Sequence, residues 1–189
     1  MKYAEASGDD SLLKVTISGP PGSGTSTLVS KIEDFRGWKS INGGEVFREE
    51  ALRRGISVEE LSSLAKEDLE VDRMLDSLLQ SLMTSTNPPE IFESRLSGWW
   101  ASRNEVECLR VWIQVSEEVR AARIQKREGG DLEECLQKSS QRQKDDMERY
   151  STLYGINLED MSPYNLVINA DEKDENQVFE IVNSHLGSE

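Results

Sequence analysis

Eight residues, Gly19-Pro-Pro-Gly-Ser-Gly-Thr-Ser26, hold three glycines and three hydroxyl side chains. They follow the apolar run Leu12–Ser18 and open a helical pattern over Thr25–Phe35. A glycine-rich turn between a buried strand and a helix lets backbone N–H groups wrap a phosphate, and the helix N-terminus adds positive potential. This reading assigns Gly19, Pro20, Pro21, Gly22, Ser23, Gly24, Thr25, Ser26 and Thr27 to the phosphates of a nucleotide. The Ser26 hydroxyl stands where such loops bind Mg²⁺. Thr25 occupies the position at which a lysine usually reaches the phosphates, so positive charge must come from elsewhere. The alternative is a glycine/proline turn with no ligand.

Arginines can supply that charge. Arg48 falls early in a helix after the second expected strand, and Arg95 directly follows the third. Arg120, Arg123 and Arg127 recur at spacings that share one helix face, and Arg142 and Arg149 flank Asp146 seven residues apart. Phosphoryl transfer is catalysed by distributed positive charge, and the guanidinium fork suits bidentate contacts to phosphate. Each arginine taken singly could equally be a surface ion pair. Asp146 either neutralises its neighbours or accepts a hydrogen bond from the exocyclic amine of a base.

The elements that must position these residues alternate. Strands are expected at Leu12–Ser18, Lys39–Ile41, Ile91–Glu93, Leu109–Val115 and Asn165–Asn169. Helices are expected at Thr25–Phe35, Glu45–Arg54, Ser57–Ala65, Asp68–Met83, Ser116–Arg127, Asp131–Tyr154 and Asp174–Leu186, with one more of unassigned limits between the third and fourth strands. Alternation of this kind predicts an α/β fold, a five-stranded parallel sheet with helices on both faces. The three helices after the second strand form an excursion from it. Capping boxes are expected at Ser57/Glu60 and Asp174/Gln177, and Asp131 heads the long helix. The apolar positions Leu69, Met74, Leu75, Leu78, Leu79 and Leu82 read as packing for the excursion, Trp99 and Trp100 as core or cleft wall, and Trp112 as core.

Composition narrows the classes. The chain has 189 residues and a formal net charge of −14, which argues against a nonspecific nucleic-acid binder. No apolar run approaches the ~18–20 residues of a membrane span. Met1–Ser11 is polar and acidic, without the pattern of a signal peptide, and reads as a flexible tail (residues 1–11) on a single domain (residues 12–189). Cys108 and Cys135 read as reduced thiols, and His185 as the lone imidazole. A cytoplasmic monomer acting on small nucleotides, without nucleic-acid or membrane partners, is expected.

With these residues in place, the chain resembles the archaeal-type cytidylate kinases of the P-loop nucleoside monophosphate kinase family, from about Leu13 to Leu186. That group carries a loop of the form GxPGxGT[ST]T, here GPPGSGTST, so Thr25 fits the group. Its SAGDIFRE segment is similar to Asn42-Gly-Gly-Glu-Val-Phe-Arg48-Glu, which implies an acceptor-phosphate role for Arg48, with Asn42 replacing a serine. Its LEGRLAGW segment is similar to Phe92-Glu93-Ser-Arg95-Leu-Ser-Gly-Trp99. The resemblance implies that Arg95 holds the acceptor phosphate and that Glu93 sits near Mg²⁺. It further implies that Arg120, Arg123 and Arg127 face the ATP phosphates and the transition state. Arg142 and Asp146 would read the cytosine edge, Arg149 would touch phosphate, and Asn169 and Ala170 would border adenine. The implied architecture is a P-loop core (12–43 and 87–189), a helical monophosphate-binding segment (about 44–86) and a short lid (about 120–132). The implied reaction moves the γ-phosphate of ATP to CMP or dCMP with Mg²⁺. Another monophosphate or small metabolite as acceptor, or a nucleotide-binding regulator without chemistry, are the alternatives.

Overall fold

A computed structural model describes residues 13–57, 60–61, 64 and 69–187. Five parallel strands, β1 (Val15–Ser18), β2 (Ser40–Asn42), β3 (Ile91–Glu93), β4 (Leu109–Gln114) and β5 (Leu166–Asn169), form one sheet in the order β2-β3-β1-β4-β5. The helices are α1 (Thr25–Arg36), α2 (Gly43–Arg54), α3 (Leu69–Met83), α4 (Ser97–Arg103), α5 (Glu117–Glu128), α6 (Leu132–Tyr154) and α7 (Glu175–His185). The expected five-stranded parallel sheet with helices on both faces is what the chain builds.

Alternation along the central strands sorts the core. Val15 and Ile17 join Ile91, Val111, Ile113 and Ile168 in one apolar cluster with Leu28, Val29 and Ile32 of α1 and Val178, Phe179 and Val182 of α7. The other face carries Phe92, which packs with Leu96, Trp100 and Ala101 around α4 and with Val71, Leu75, Leu79 and Met83 of α3. Trp112 is buried as expected and packs against Tyr164.

Several elements start later or earlier than the pattern suggests. β1 begins at Val15 because the chain before it bonds at the edge of the ladder, with the Lys14 and Val15 N–H groups sharing the Glu90 carbonyl. α2 begins at Gly43 because Asn42 Oδ1 accepts from the N–H groups of Gly44 and Glu45 at 2.8 and 3.2 Å. Asp131 caps α6 in the same way, and the Asp174/Gln177 capping box closes in both directions. Ser57 and Glu60 exchange both bonds of their box, although much of Ser57–Ala65 lies outside the described residues, as does the 1–11 tail. The apolar stripe of α3 is narrower than read from the sequence. Leu75 and Leu79 are buried with Val71 and Met83, whereas Met74 and Leu78 are 36% and 44% exposed.

The register brings the site together. Asn42 and Ile17 both pair with Glu93, and Gln114 pairs with Asn169. The segments after β1, β2, β3 and β5 therefore leave the sheet at one carboxyl edge, where open α/β sheets bind ligands.

Candidate active site

The loop between β1 and α1 turns on glycine. Gly24, the N-cap of α1, has φ 93°, and Gly22 has φ 81°, a region L-residues with side chains avoid. A Cβ on Gly22 would also stand 3.1 Å from the Arg120 carbonyl oxygen. The Ser23 N–H donates to the Pro20 carbonyl at 3.1 Å and closes the turn. No side chain caps α1 and no acid lies in its first turn, so its free N–H groups and positive pole are left for an anion. Ser23 Oγ is buried without a hydrogen-bond partner.

Two arginines of α5 reach this loop. Arg123 donates from Nη1 to the Ser23 carbonyl at 3.0 Å and from Nη2 to the Ala170 carbonyl at 2.6 Å. It thus joins the loop to the end of β5. Arg120 is 3% exposed and donates to Ser139 Oγ at 3.1 Å, with the nearest acid, Glu117, at 3.9 Å. Burial pulls its pKa down, and its Nε lacks a hydrogen-bond partner. A desolvated guanidinium with a spare donor suits an incoming phosphate. Arg127 is not brought here: its side chain is 67% exposed and pairs with Glu128. Ala170 is buried at the edge of β5, and exposed Asn169 accepts from the Asp171 N–H.

Glu93 bridges the two halves of the site. Its Oε1 accepts from the Thr25 hydroxyl at 2.7 Å, while Oε2 is buried without a partner. Burial raises its pKa. A buried carboxylate oxygen left over beside the Thr25 hydroxyl fits Mg²⁺, which takes one or two protein oxygens and completes its shell with phosphates and water. Among the described residues no group of three or more His, Cys, Asp or Glu could hold a metal by itself.

The other half of the site is a ladder of side chains. Arg95 donates from Nη1 to the Gly19 carbonyl, and its Nη2 lies 2.9 Å from Asp146 Oδ2. Asp146 Oδ1 accepts from Arg149 Nη2 at 2.8 Å. Arg149 in turn lies 3.4 Å from Asp72 Oδ2 of α3 and donates to the Tyr150 hydroxyl at 3.2 Å. Both oxygens of Asp146 are thus held by arginines, which makes it an orienting group for Arg95 and Arg149. Arg48 and Arg142 are exposed and have no hydrogen bond or ion pair among the described residues, while Asn42 spends its carbonyl oxygen on the α2 cap. A groove of about 400 Å³ between α2 and α3 contains Asn42 but none of the arginines of the ladder, and its Glu45 and Glu49 suit no phosphate.

Two acids of α3 belong to the site without being singled out by motif or spacing. Asp72 pairs with Arg149, and Asp76 accepts from the Tyr154 hydroxyl at 2.6 Å and from Trp100 Nε1 at 3.4 Å. Both sit one helical turn apart on the same side as Leu75, Leu79 and Met83. Acids inside a buried helical stripe are the signal that could have found them.

A phosphate loop opening α1, at the carboxyl edge of a parallel sheet and faced by buried and half-buried arginines, defines the P-loop kinase fold class. Solved structures of that class share the fold. A shikimate kinase from Bacteroides thetaiotaomicron superposes with TM-score 0.60 over 93% of this chain and 99% of its own at 14% identity, and a gluconokinase from Sinorhizobium meliloti with 0.59 over 92% and 91% at 17%. In sequence, residues 14–172 match the model of the cytidylate kinase-like family. The chain is 40% identical to a cytidylate kinase of Archaeoglobus fulgidus over 90% of this chain and 92% of that one, and 36% identical to one of Pyrococcus horikoshii over 92% and 88%. The chain belongs to the cytidylate kinase-like family and is an ATP-dependent nucleoside monophosphate kinase.

Proposed function

We propose that this enzyme transfers the γ-phosphate of ATP to CMP or dCMP, giving CDP or dCDP and ADP. The observation that carries this reading is the ladder Gly19–Arg95–Asp146–Arg149, which runs from the phosphate loop to a second guanidinium on α6. It sits in a chain whose curated relatives are cytidylate kinases.

The loop N–H groups and the α1 N-terminus hold the ATP phosphates, with the adenine bordered by Asn169 and Ala170. Arg95, Arg149 and the uncommitted Arg48 bind the acceptor phosphate, and Arg142, exposed and unpaired among the described residues, is free to approach its nucleoside side. An oxygen of the acceptor phosphate attacks the γ-phosphorus as the bridge to ADP breaks. A dianionic acceptor has no proton to lose, so no general base is required. Arg120 and Arg123 face the charge that moves onto the leaving oxygen. Mg²⁺ held by Glu93 and Ser26 through oxygens and water would supply further positive charge at the phosphates. Movement of segments 44–86 and 120–132 over both nucleotides would exclude the water that otherwise takes the phosphate. The substrates are free nucleotides, and the enzyme is read as a cytoplasmic monomer. Among the described residues no helix is long and apolar enough to cross a membrane.

The test follows ADP release from ATP·Mg²⁺ with CMP, dCMP, UMP, AMP and GMP as acceptors. Turnover with CMP or dCMP at least about 100-fold above UMP is expected, the discrimination that hydrogen-bonded base recognition supplies. ATP binding without transfer to any of the five would sink the reading.

A further inference from the structure

Two buried polar atoms at the far end of the ladder lack hydrogen-bond partners. Asp72 Oδ2 and Arg149 Nε are 3.4 Å apart, an ion-pair distance, yet they are not aligned as a hydrogen bond and neither finds another partner among the described residues. Their side chains are only 13% and 26% exposed. Buried carboxylate oxygens and guanidinium N–H groups are seldom left unpaired, because each costs about 1–3 kcal/mol unless a ligand or water completes it.

The pair presents an acceptor beside a donor. That array complements an edge on which a donor stands beside an acceptor. The edge of cytosine is of this kind, with its exocyclic N4–H₂ next to N3. Uracil reverses it, turning O4 toward the carboxylate and N3–H toward the guanidinium, and guanine reverses it in the same way with O6 and N1–H. Adenine has the same order as cytosine on a larger ring, so the array rejects uracil and guanine, and the size of the cleft must reject adenine. Asp146, the acid suggested by the sequence spacing, has both oxygens occupied by Arg95 and Arg149. Asp72 has one free.

We propose that Asp72, on α3, is the residue that accepts the exocyclic amine of the acceptor base, with Arg149 beside it donating to the ring nitrogen. This rests on the reading of the enzyme as a pyrimidine monophosphate kinase and names the group that selects the base. Arg149 then spans base and phosphate, and Asp146 keeps it aimed. Because Asp72 belongs to the helical segment after β2, docking of α3 against α6 completes the base site.

The experiment is a cycle between the amine and the carboxylate. Steady-state kcat/KM is measured for CMP, UMP and the pyrimidin-2-one ribonucleoside monophosphate, which lacks the amine, with the wild type, Asp72→Ala and Asp72→Asn. Thermal melts establish that each variant is folded. The wild type should prefer CMP over the amine-less analogue by about 10–100-fold, and Asp72→Ala should lose most of that preference. Asp72→Asn should also raise UMP relative to CMP by at least about tenfold, because its amide can donate to O4. A structural role would lower all acceptors together and leave the ratios unchanged, and that result overturns the proposal. So does wild-type turnover of the analogue at the CMP rate, a result that needs no variant. A wild type that prefers UMP or AMP to CMP would instead remove the functional reading beneath it.

Discussion

The two halves of this site that we assign to the phosphate donor and the acceptor are built from different material. The donor half is backbone: glycines with positive φ, an uncapped helix N-terminus and a turn closed by the Pro20 carbonyl. The acceptor half is side chain: Arg95 from the end of β3, Asp146 and Arg149 from α6 and Asp72 from α3. Backbone dipoles are fixed by the fold and lose little on desolvation. Buried charges must be matched against one another, and each stands or falls with its partner. The acceptor half therefore ties stability to function more tightly than the donor half does.

Arg95 gives the sharpest test of that difference. Arg95→Ala removes the link from the Gly19 carbonyl to Asp146 and leaves a 6%-exposed carboxylate with one cation instead of two. We expect kcat/KM for CMP to fall about 10³–10⁴-fold, in the range of arginines that stabilise transferring phosphates. Chemical denaturation should show a loss of about 2–4 kcal/mol. A variant of full stability and low activity would detach the ladder from the fold and break the comparison.

Arg123 gives the donor-side counterpart. Arg123→Ala removes two bonds to backbone carbonyls and unpairs no buried charge. Turnover should drop about 10²–10³-fold with little change in the KM for CMP, while stability falls by only about 1–2 kcal/mol. Near-normal kcat would remove Arg123 from the transition state.

The acid pair on α3 extends the contrast to pH. Burial pushes the Asp76 carboxyl up to about 6, only partly offset by the bonds from Tyr154 and Trp100. A carboxyl with a higher pKa folded than unfolded keeps its proton longer in the folded chain. The resulting stability is present at low pH and is lost as pH rises through about 6. At about 1.4 kcal/mol per pKa unit, the wild type should lose about 3 kcal/mol relative to Asp76→Asn between pH 4 and pH 7. Denaturation curves across that range that stay parallel for the two proteins would show that Asp76 ionises at its ordinary pKa and that the α3–α6 contact is wet.

The same division explains what the sequence could disclose. The phosphate loop is one contiguous segment, so its chemistry and context are written together between Leu12 and Phe35. The sheet is equally legible, because Val15, Ile17, Val111 and Ile113 stand in short apolar runs between turn residues. The ladder is assembled from residues 72, 95, 146 and 149 on three separate elements, and no spacing along the chain states which acid meets which arginine. Asp146 between Arg142 and Arg149 suggests a local trio, yet Arg142 turns to solvent and Asp146 is claimed by Arg95, 51 residues earlier by number. Asn42 is polar in the way a ligand contact would be, and the helix takes its oxygen as a cap. Such contests among partners are decided by tertiary packing.

Arg127 is the smallest and most diagnostic case. It shares a helix face with Arg120 and Arg123 by spacing, but α5 has nearly ended there and the side chain pairs with its neighbour Glu128. An exposed pair of this kind contributes about 0–0.5 kcal/mol, so Arg127→Ala should leave the melting curve where it is. Its kcat should stay within about threefold of wild type if the arginines that work are those already buried at the loop. A fall of tenfold or more would mean that the turn at Gly129 and Gly130 carries the end of α5 inward when both nucleotides are bound. The donor half would then depend on side-chain charge as heavily as the acceptor half, and the contrast between them would hold only for the unliganded enzyme.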